Sequence, residues 1–162
     1  MKRDTAIIHA GINPDPTTGS IIPPIYETAT YVLPEVGRDL GFDYTRSSNP
    51  TRQVLEDNLA AIEGGAHGIS FASGMSAVDT CLKTLDAGDH VVCTDDVYGG
   101  VTRLFNQVLS RHGIGVTYVD SSHPETVSQA VRPETKMLWI ETPTSPMLKV
   151  TALALMAENA SE

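Results

Sequence analysis

The 162-residue sequence has no window of about 18 uninterrupted apolar residues, the length that a membrane-spanning helix needs. No signal-like apolar run follows the N-terminal Met-Lys-Arg-Asp-Thr, so we expect a cytoplasmic protein without a membrane partner. Only two cysteines occur, Cys81 and Cys93, and they lack CxxC spacing, so we expect two buried free thiols. The five histidines never fall at HxH or HxxxH spacing, and no metal site is predicted.

Basic residues are also scarce, because 11 Lys and Arg stand against 20 Asp and Glu and give a formal net charge of −9. Nucleic-acid binding needs clustered positive charge to neutralise phosphates, and these basic residues are scattered, so no nucleic-acid partner is expected. Hydrophobic residues make up 41% of the chain, which is enough for a compact folded domain and too many for a disordered segment.

The first part of the chain, residues 1–48, is interrupted throughout by proline and glycine and is predicted to be an extended, irregular arm. Apolar residues such as Ile21, Ile22 and Ile25 lie within it, although the segment cannot form a core of its own. We therefore expect the arm to lie on another surface, in this chain or in a partner subunit.

The second part, residues 49–162, has a regular pattern that predicts alternating helices and strands. Asn49 is a plausible N-cap with Pro50 at the first helical position, and Gly64 supplies the stop. Strands are predicted at 68–72, 90–94, 115–119 and 136–141, and further helices at 75–87, 101–112, 123–131 and 151–162.

Strands that alternate with helices of about ten residues predict right-handed crossovers and a mainly parallel sheet covered on both faces, an α/β fold of three layers. Ligands of such sheets bind beyond the carboxyl ends of the strands. A parallel sheet of four strands whose last helix leads to no further strand is an unfinished layer. The segment 49–162 is therefore expected to be the N-terminal part of a larger domain.

Two candidate binding groups follow predicted strands. Ser73, Gly74 and Met75 begin a helix, where unpaired backbone N–H groups favour an anion such as a phosphate, although such a sequence can also be only a turn. Tyr98 precedes two glycines that leave a face of its ring open to a flat ligand, and the alternative is a tyrosine packed on its own loop. No GxGxxG follows the first clear strand and no GxxxxGK[ST] occurs, which disfavours a dinucleotide or ATP site.

A third candidate group precedes the helix that begins after Asn49. Tyr44 and Arg46 are two residues apart, so in an extended segment both side chains point the same way and could bind one phosphate. The alternative is a solvated arginine in a linker.

Four motifs follow one another along the chain: Tyr44-x-Arg46-x-x-Asn49-Pro50-Thr51, Ser73-Gly74-Met75, Asp95-Asp96-x-Tyr98-Gly99-Gly100 and Glu141-Thr142-Pro143. Together they resemble the pyridoxal-phosphate (PLP) enzymes of cysteine and methionine metabolism, the cystathionine γ-synthase and γ-lyase family, and the resemblance covers nearly the whole chain. It implies the cofactor pyridoxal 5′-phosphate, a fold of the aspartate-aminotransferase type (fold type I), and elimination or replacement at Cγ of homoserine-derived amino acids. The implied substrates are cystathionine, or O-acylhomoserine plus cysteine.

The resemblance also implies residue roles. The backbone at Gly74 and Met75 would bind the cofactor phosphate, and the Tyr98 ring would stack on the pyridine. Tyr44 and Arg46 would reach the phosphate of a neighbouring subunit's cofactor, so the active unit would be at least a dimer, and members of the family are usually tetramers. The full set implied for the cofactor is Ser73, Gly74, Met75, Tyr98, Glu141 and Ser145, with Tyr44 and Arg46 acting in trans.

Two departures from the family pattern carry expectations. Ser145 stands where the family commonly has an asparagine near the cofactor's 3′-oxygen, so that contact would be lost or bridged by water. The lysine that forms the Schiff base is expected beyond Glu162, so no catalytic residue is predicted in this chain and the 162 residues alone are predicted to be inactive. The alternatives are a truncated remnant that only associates with full-length subunits, or a cystathionine β-lyase, a methionine γ-lyase or an O-acylhomoserine sulfhydrylase. The lysines present are Lys2, Lys83, Lys136 and Lys149, and none occupies the matching position.

Overall fold

The computed structural model describes residues 2–160, which form two compact units, residues 2–71 and residues 72–160. The boundary predicted from the sequence, between an arm at 1–48 and a cofactor-binding segment at 49–162, stays a prediction. Among the described residues no helix is long and apolar enough to cross a membrane. No three His, Cys, Asp or Glu side chains within that part of the chain come together as a metal-ligand set.

The first unit contains two helices, α1 (Arg3–His9) and α2 (Pro50–Glu63). Helix α2 begins as predicted, because the Asn49 side chain accepts a hydrogen bond from the Thr51 N–H at 2.8 Å. It ends at Gly64, which adopts the left-handed conformation with φ of 69°. Helix α1 lies inside the segment predicted to be irregular.

A tertiary contact stabilises α1 and could not be read from the local sequence. The side-chain amide of Asn58, on α2, donates to the carbonyls of Ala6, Ile7 and Ala10 at 3.2, 3.2 and 2.9 Å. These carbonyls lie at the C-terminal end of α1, where the last carbonyls of a helix lack helical donors, although the Ala6 carbonyl also accepts the Ala10 N–H at 2.9 Å. Hydrogen bonds from α2 therefore stabilise a helix that the local sequence pattern does not predict.

The strand predicted at 68–72 is wrong. The Ser70 N–H and hydroxyl both donate to the Glu56 carboxylate at 2.9 Å, so a side chain of α2 takes the place of a neighbouring strand. Within the described residues this segment pairs with no other strand. Its β-branched and aromatic composition signalled extended backbone but not a partner for the ladder.

The second unit has the alternating pattern that the sequence predicts, and its strands at 90–94 and 115–119 match the prediction residue for residue. The helix predicted at 75–87 ends five residues earlier, at Leu82, and the strand predicted at 136–141 forms at Thr135–Trp139. The helix predicted at 101–112 forms as α4 (Gly99–Gln107), followed by a short 3-10 turn that ends at Gly113. The helix predicted at 151–162 forms as α6, and residues 161–162 lie outside the described residues. The elements are α3 (Gly74–Leu82), β1 (His90–Thr94), α4 (Gly99–Gln107), the turn Leu109–His112, β2 (Gly115–Val119), α5 (Pro124–Ala130), β3 (Thr135–Trp139) and α6 (Leu153–Asn159).

The three strands form a parallel sheet in the order β2-β1-β3. Strand β1 pairs with β2 from His90 opposite Gly115 to Thr94 opposite Val119, and its register with β3 shifts once, between His90 and Val91. All five residues of β1 are buried, as expected for a central strand with neighbours on both sides.

Two apolar clusters cover the two faces of the sheet. On one face Val91 and Cys93 pack with helices α3 and α4, whose buried side chains include Leu82 and Phe105. On the other face Val92 packs with residues of α5 and α6, among them Val127 and Met156. The predicted three-layer α/β fold is therefore confirmed, with helices on both faces of a parallel sheet. The prediction for Cys81 is wrong, because this thiol is exposed whereas Cys93 is buried.

Strand order positions the functional site. The chain leaves β1 for β2 on one side and then returns to β3 on the other side. Successive connections thus diverge at the carboxyl ends of β1 and β3. Open parallel sheets bind ligands in the crevice at such a switch point.

Candidate functional site

A cavity of about 440 Å³ lies at this switch point, between the N-termini of α3 and α4 and the carboxyl end of β3. Five residues predicted from the sequence come together there, although they span almost 70 positions of the chain. The lining residues are Ser73, Gly74, Met75, Val78, Tyr98, Val101, Trp139 and Glu141.

The start of α3 presents backbone donors to this cavity. The Ser73 hydroxyl caps the helix by accepting the Ser76 N–H at 3.2 Å and lies 2.9 Å from the Ser76 hydroxyl. Within the described residues the amides of Gly74 and Met75 have no acceptor, and a Cβ added at Gly74 would meet nothing within 4 Å. Free N–H groups at the positive end of a helix dipole, in residues that line a cavity, favour an anionic oxygen group.

An aromatic ring lies across the same cavity. Tyr98 is the N-cap residue of α4, and its side chain is 54% exposed. Its backbone N–H donates to Oε2 of Glu141 at 2.9 Å. The Glu141 carboxylate therefore holds the start of α4, where negative charge is favourable, and fixes the backbone that carries the ring.

The thiol of Cys93 lies close to this site without contributing a nucleophile. Burial, followed by the negative charges of Glu141 and Asp95, raises the pKa of Cys93 to about 12. The thiol therefore stays protonated at neutral pH.

A charged network lies at the carboxyl ends of β1 and β2. The ammonium of Lys149 donates to both carboxylate oxygens of Asp95 at 3.0 Å and to Asp120 Oδ2 at 2.8 Å. The hydrogen bond from Lys149 lowers the pKa of Asp120 far below its usual range, and the two carboxylates raise the pKa of Lys149. This lysine is therefore held as a cation within a structural ion pair.

The loop that carries Ser145 is anchored by Asp96. The Asp96 carboxylate accepts the Thr144 hydroxyl at 2.5 Å and the Met147 N–H at 2.8 Å. Ser145 itself is exposed and is not among the residues that line the cavity. Its predicted contact with a cofactor stays a prediction.

The first unit contains the other predicted group. Nη2 of Arg46 donates to the Tyr44 hydroxyl at 2.7 Å, and the guanidinium carbon lies 5.1 Å from the Tyr44 ring centroid. Arg52 fixes the turn that carries this pair by donating to the carbonyls of Thr45 and Ser47 at 3.0 and 2.9 Å. Both Tyr44 and Arg46 are exposed, and Arg46 pairs with no carboxylate in the described part of the chain. The guanidinium thus keeps donors for an external anion.

Some lining residues escaped the sequence analysis, above all Trp139, the sole tryptophan of the chain and the last residue of β3. The rule that ligands bind beyond the carboxyl ends of strands would have found it. Val78 of α3 and Val101 of α4 also line the cavity and make part of its wall apolar. None of the lysines within residues 72–160 lines this cavity.

The family described as Cys/Met metabolism PLP-dependent enzyme matches residues 4–162. The chain is 48% identical to a cystathionine γ-lyase of Bacillus subtilis over 162 residues, which is 100% of this chain and 43% of that protein. It is 49% identical to a cystathionine β-lyase of Coxiella burnetii over 160 residues, which is 98% of this chain and 41% of that protein.

A crystal structure of metB from Corynebacterium glutamicum has the same fold, with a TM-score of 0.95 and 40% identity over 99% of this chain and 42% of that one. A cystathionine γ-lyase of Lactobacillus plantarum, solved with L-serine, gives a TM-score of 0.93 at 40% identity, again over 99% of this chain and 42% of that one. The chain thus spans less than half the length of these relatives.

Proposed function

Because the chain belongs to the Cys/Met metabolism PLP-dependent enzyme family, we propose that the cavity at the start of α3 binds pyridoxal 5′-phosphate. The observation that carries this proposal is that Gly74 and Met75, whose amides have no acceptor among the described residues, line one cavity with the exposed ring of Tyr98. A phosphate fits the amides and the Ser73 hydroxyl, and a flat pyridine fits the aromatic ring. The residues present therefore suit the two halves of this cofactor.

Different residues would bind the phosphate and the ring of the cofactor. Gly74 and Met75 would donate backbone N–H groups to phosphate oxygens, and Ser73 would add its hydroxyl. Tyr98 would stack on the ring and exclude water from one face, while Glu141 keeps the Tyr98 backbone in place through its 2.9 Å hydrogen bond. When bound, pyridoxal phosphate supplies an electron sink that stabilises negative charge at the α-carbon of an amino acid.

We propose that the whole protein is a transsulfuration enzyme of the cystathionine γ-synthase or γ-lyase type. Its substrates would be cystathionine, or O-acylhomoserine with cysteine, and the reaction would be elimination or replacement at Cγ. The relatives named cystathionine γ-lyase and probable cystathionine γ-synthase, at 48% and 46% identity, support this proposal. The similar identity of a cystathionine β-lyase, 49%, makes cleavage at Cβ the second candidate.

We propose that Tyr44 and Arg46 serve the phosphate of a second copy of the chain. None of the described residues that line the cavity is a Lys or Arg, so a doubly charged phosphate there lacks a cationic partner among them. Arg46 is exposed, pre-positioned by Tyr44 and without a carboxylate partner within residues 2–160. A planar guanidinium binds phosphate through two parallel hydrogen bonds, which suits this role.

We further propose that the 162 residues alone bind the cofactor without turnover. Within the second unit, Lys149 is held by Asp95 and Asp120, Lys83 pairs with Asp79 at 2.6 Å, and Lys136 is exposed on β3. None of them lines the cavity, so none is placed to attach the cofactor covalently there. The expected result is no release of thiol from cystathionine by the pure chain.

Fluorescence of Trp139 tests cofactor binding, because this single tryptophan lines the cavity. The probe is pyridoxine 5′-phosphate, which has no aldehyde and cannot react with surface lysines. We expect saturable quenching at one site per chain, competition by inorganic phosphate, and much weaker quenching by pyridoxine, which lacks the phosphate. Equal quenching by pyridoxine and its phosphate would contradict the assignment of the phosphate to α3.

A matched pair of variants locates the phosphate. Gly74→Ala adds a methyl group where nothing lies within 4 Å, so the fold should accept it while the methyl crowds the bound phosphate. Gly99→Ala, at the start of α4, adds the same group outside the proposed phosphate contacts and should leave the affinity within about twofold, since only ordinary van der Waals contact results. Unchanged affinity in Gly74→Ala would count against the proposal.

A further inference from the structure

Gly100 lies in the first turn of α4 and is buried. The backbone conformation at this position does not require a glycine. Its φ is not among the positive values that favour glycine. Alanine is normally a better residue than glycine inside a helix. The reason for a glycine at this position must therefore be sought in the space around it.

Two side chains of the proposed cofactor site fill the space where a Cβ of residue 100 would lie. A Cβ built on Gly100 would be 2.5 Å from Cε1 and 3.1 Å from Cδ1 of Tyr98, and 2.8 Å from Sδ of Met75. These distances are shorter than van der Waals contact allows, so the ring of Tyr98 and the thioether of Met75 can occupy their positions only because residue 100 has no side chain.

Gly99 provides the contrast. A Cβ at Gly99 would meet only Nη1 of Arg103, at 3.6 Å, which is an ordinary contact with the end of a flexible side chain. Two consecutive glycines in one helix thus differ sharply in what an added methyl group would displace.

We propose that Gly100 is a positioning residue for cofactor binding: its missing side chain seats the Tyr98 ring beside Met75, so that the ring faces the cavity. This inference rests on the proposed function. The Tyr98 ring joins the start of α4 to the start of α3, which supplies the phosphate donors, and Gly100 lies at that junction. Gly100 thereby couples the stacking contact of Tyr98 to the phosphate contacts at the start of α3.

The exposure of the Tyr98 ring indicates how the structure would accommodate Gly100→Ala. Tyr98 is 54% exposed and Glu141 holds only its backbone, so its side chain can rotate into solvent without unfolding α4. We therefore expect Gly100→Ala to fold, since it adds a good helix former, and to lose the stacking contact.

The first measurement needs no ligand. In wild-type protein and in Gly99→Ala, nuclear Overhauser spectra should show a cross-peak between the Tyr98 ring protons and the Met75 methyl group. The cross-peak should be lost in Gly100→Ala, while circular dichroism shows an unchanged helix content. An intact cross-peak in folded Gly100→Ala would overturn the positioning role.

The second measurement uses Trp139 quenching by pyridoxine 5′-phosphate in a double-mutant cycle. Gly100→Ala should weaken binding about tenfold, the scale of one aromatic stacking contact, and Gly99→Ala should change it less than about twofold. In a Tyr98→Ala background, Gly100→Ala should add almost nothing, because the ring through which it acts is gone. The same tenfold loss in that background would show a general structural effect and overturn the proposal. If the wild-type protein binds no probe, the proposed function fails, whereas the cross-peak still decides the role of Gly100.

Discussion

Acidification should destabilise this fold through one histidine. His90 begins the central strand, is completely buried, and its two ring nitrogens lie 2.7 Å from the Thr135 hydroxyl and 2.9 Å from the Thr117 hydroxyl. It thereby links all three strands of the sheet. Burial lowers the pKa of His90 below its ordinary 6.5, the positive charge of Arg132 lowers it further, and Glu134 opposes the shift.

The sign and size of the effect follow from proton linkage. Below pH 6.5 the unfolded chain binds a proton at this histidine that the folded chain does not, so stability falls as the pH falls. If the folded ring stays neutral, the loss between about pH 7.5 and pH 5.5 is about 1.4 kcal/mol. At a urea m-value of roughly 2 kcal/mol/M the unfolding midpoint should drop by about 0.7 M.

Urea unfolding at the two pH values measures the drop, and the His90 ring protons followed by NMR report its protonation directly. A ring of His90 that titrates at or above 6.5 in the folded protein, or stability that rises on acidification to about pH 5.5, would refute the reasoning.

Three further predictions concern a helix cap, the thiols and the ion pair. Asn49→Ala should destabilise the protein by at least about 1 kcal/mol in urea unfolding, because it removes both the acceptor for the Thr51 N–H and the amide that donates to the Tyr26 carbonyl. Asn49→Asp should recover only the helix cap, since a carboxylate cannot donate to a carbonyl. A thiol reagent should label Cys81 in the folded protein and reach Cys93 only after denaturation, as mass spectrometry of the labelled chain would show. Lys149→Met should lower the urea unfolding midpoint at neutral pH. The difference in midpoint between this variant and the wild type should narrow only below pH 3.8, because there the Asp120 carboxyl takes up a proton in the unfolded chain while the same carboxyl, whose pKa is lowered, stays ionised in the folded protein. A difference that is absent at neutral pH, or that widens on acidification, would contradict the assigned ion pair.

Periodic patterns predicted most of the second unit correctly, because burial on both faces imposes a simple rule on a central strand. The strand at His90–Thr94 and its parallel neighbour at Gly115–Val119 could therefore be predicted from their own residues. Helix α2 was equally legible, since its cap residue Asn49 and its stop residue Gly64 are local signals.

The misses share a different cause, because each depends on a partner that is distant in sequence. Helix α1 is held by the amide of Asn58, and the segment 68–72 is held by the carboxylate of Glu56. Neither contact can be predicted from the residues of the segment whose conformation it determines. The exposure of Cys81, on the solvent side of α3, likewise follows from how that helix packs and not from its residue type.

The candidate site was predictable where a residue acts through its own chemistry or its place after a strand. Tyr98 meets both conditions, because it follows β1, whereas Ser73 and Gly74 meet only the first, since the strand predicted before them does not form. All three line one cavity. Trp139 escaped, because it resembles a core residue. Gly100 was read with Gly99 as leaving the Tyr98 ring open, and only the structure shows that the two glycines differ in the space around them.

Amide chemical shifts test the central claim most directly. Nitrogen-15 spectra of the chain, titrated with pyridoxine 5′-phosphate, report separately on every backbone N–H. We predict that the largest shifts occur at Gly74 and Met75, that Tyr98 follows, and that pyridoxine without phosphate leaves the first two unmoved. Saturable binding whose shifts cluster elsewhere, with Gly74 and Met75 unchanged, would contradict the assignment of this cavity to the cofactor.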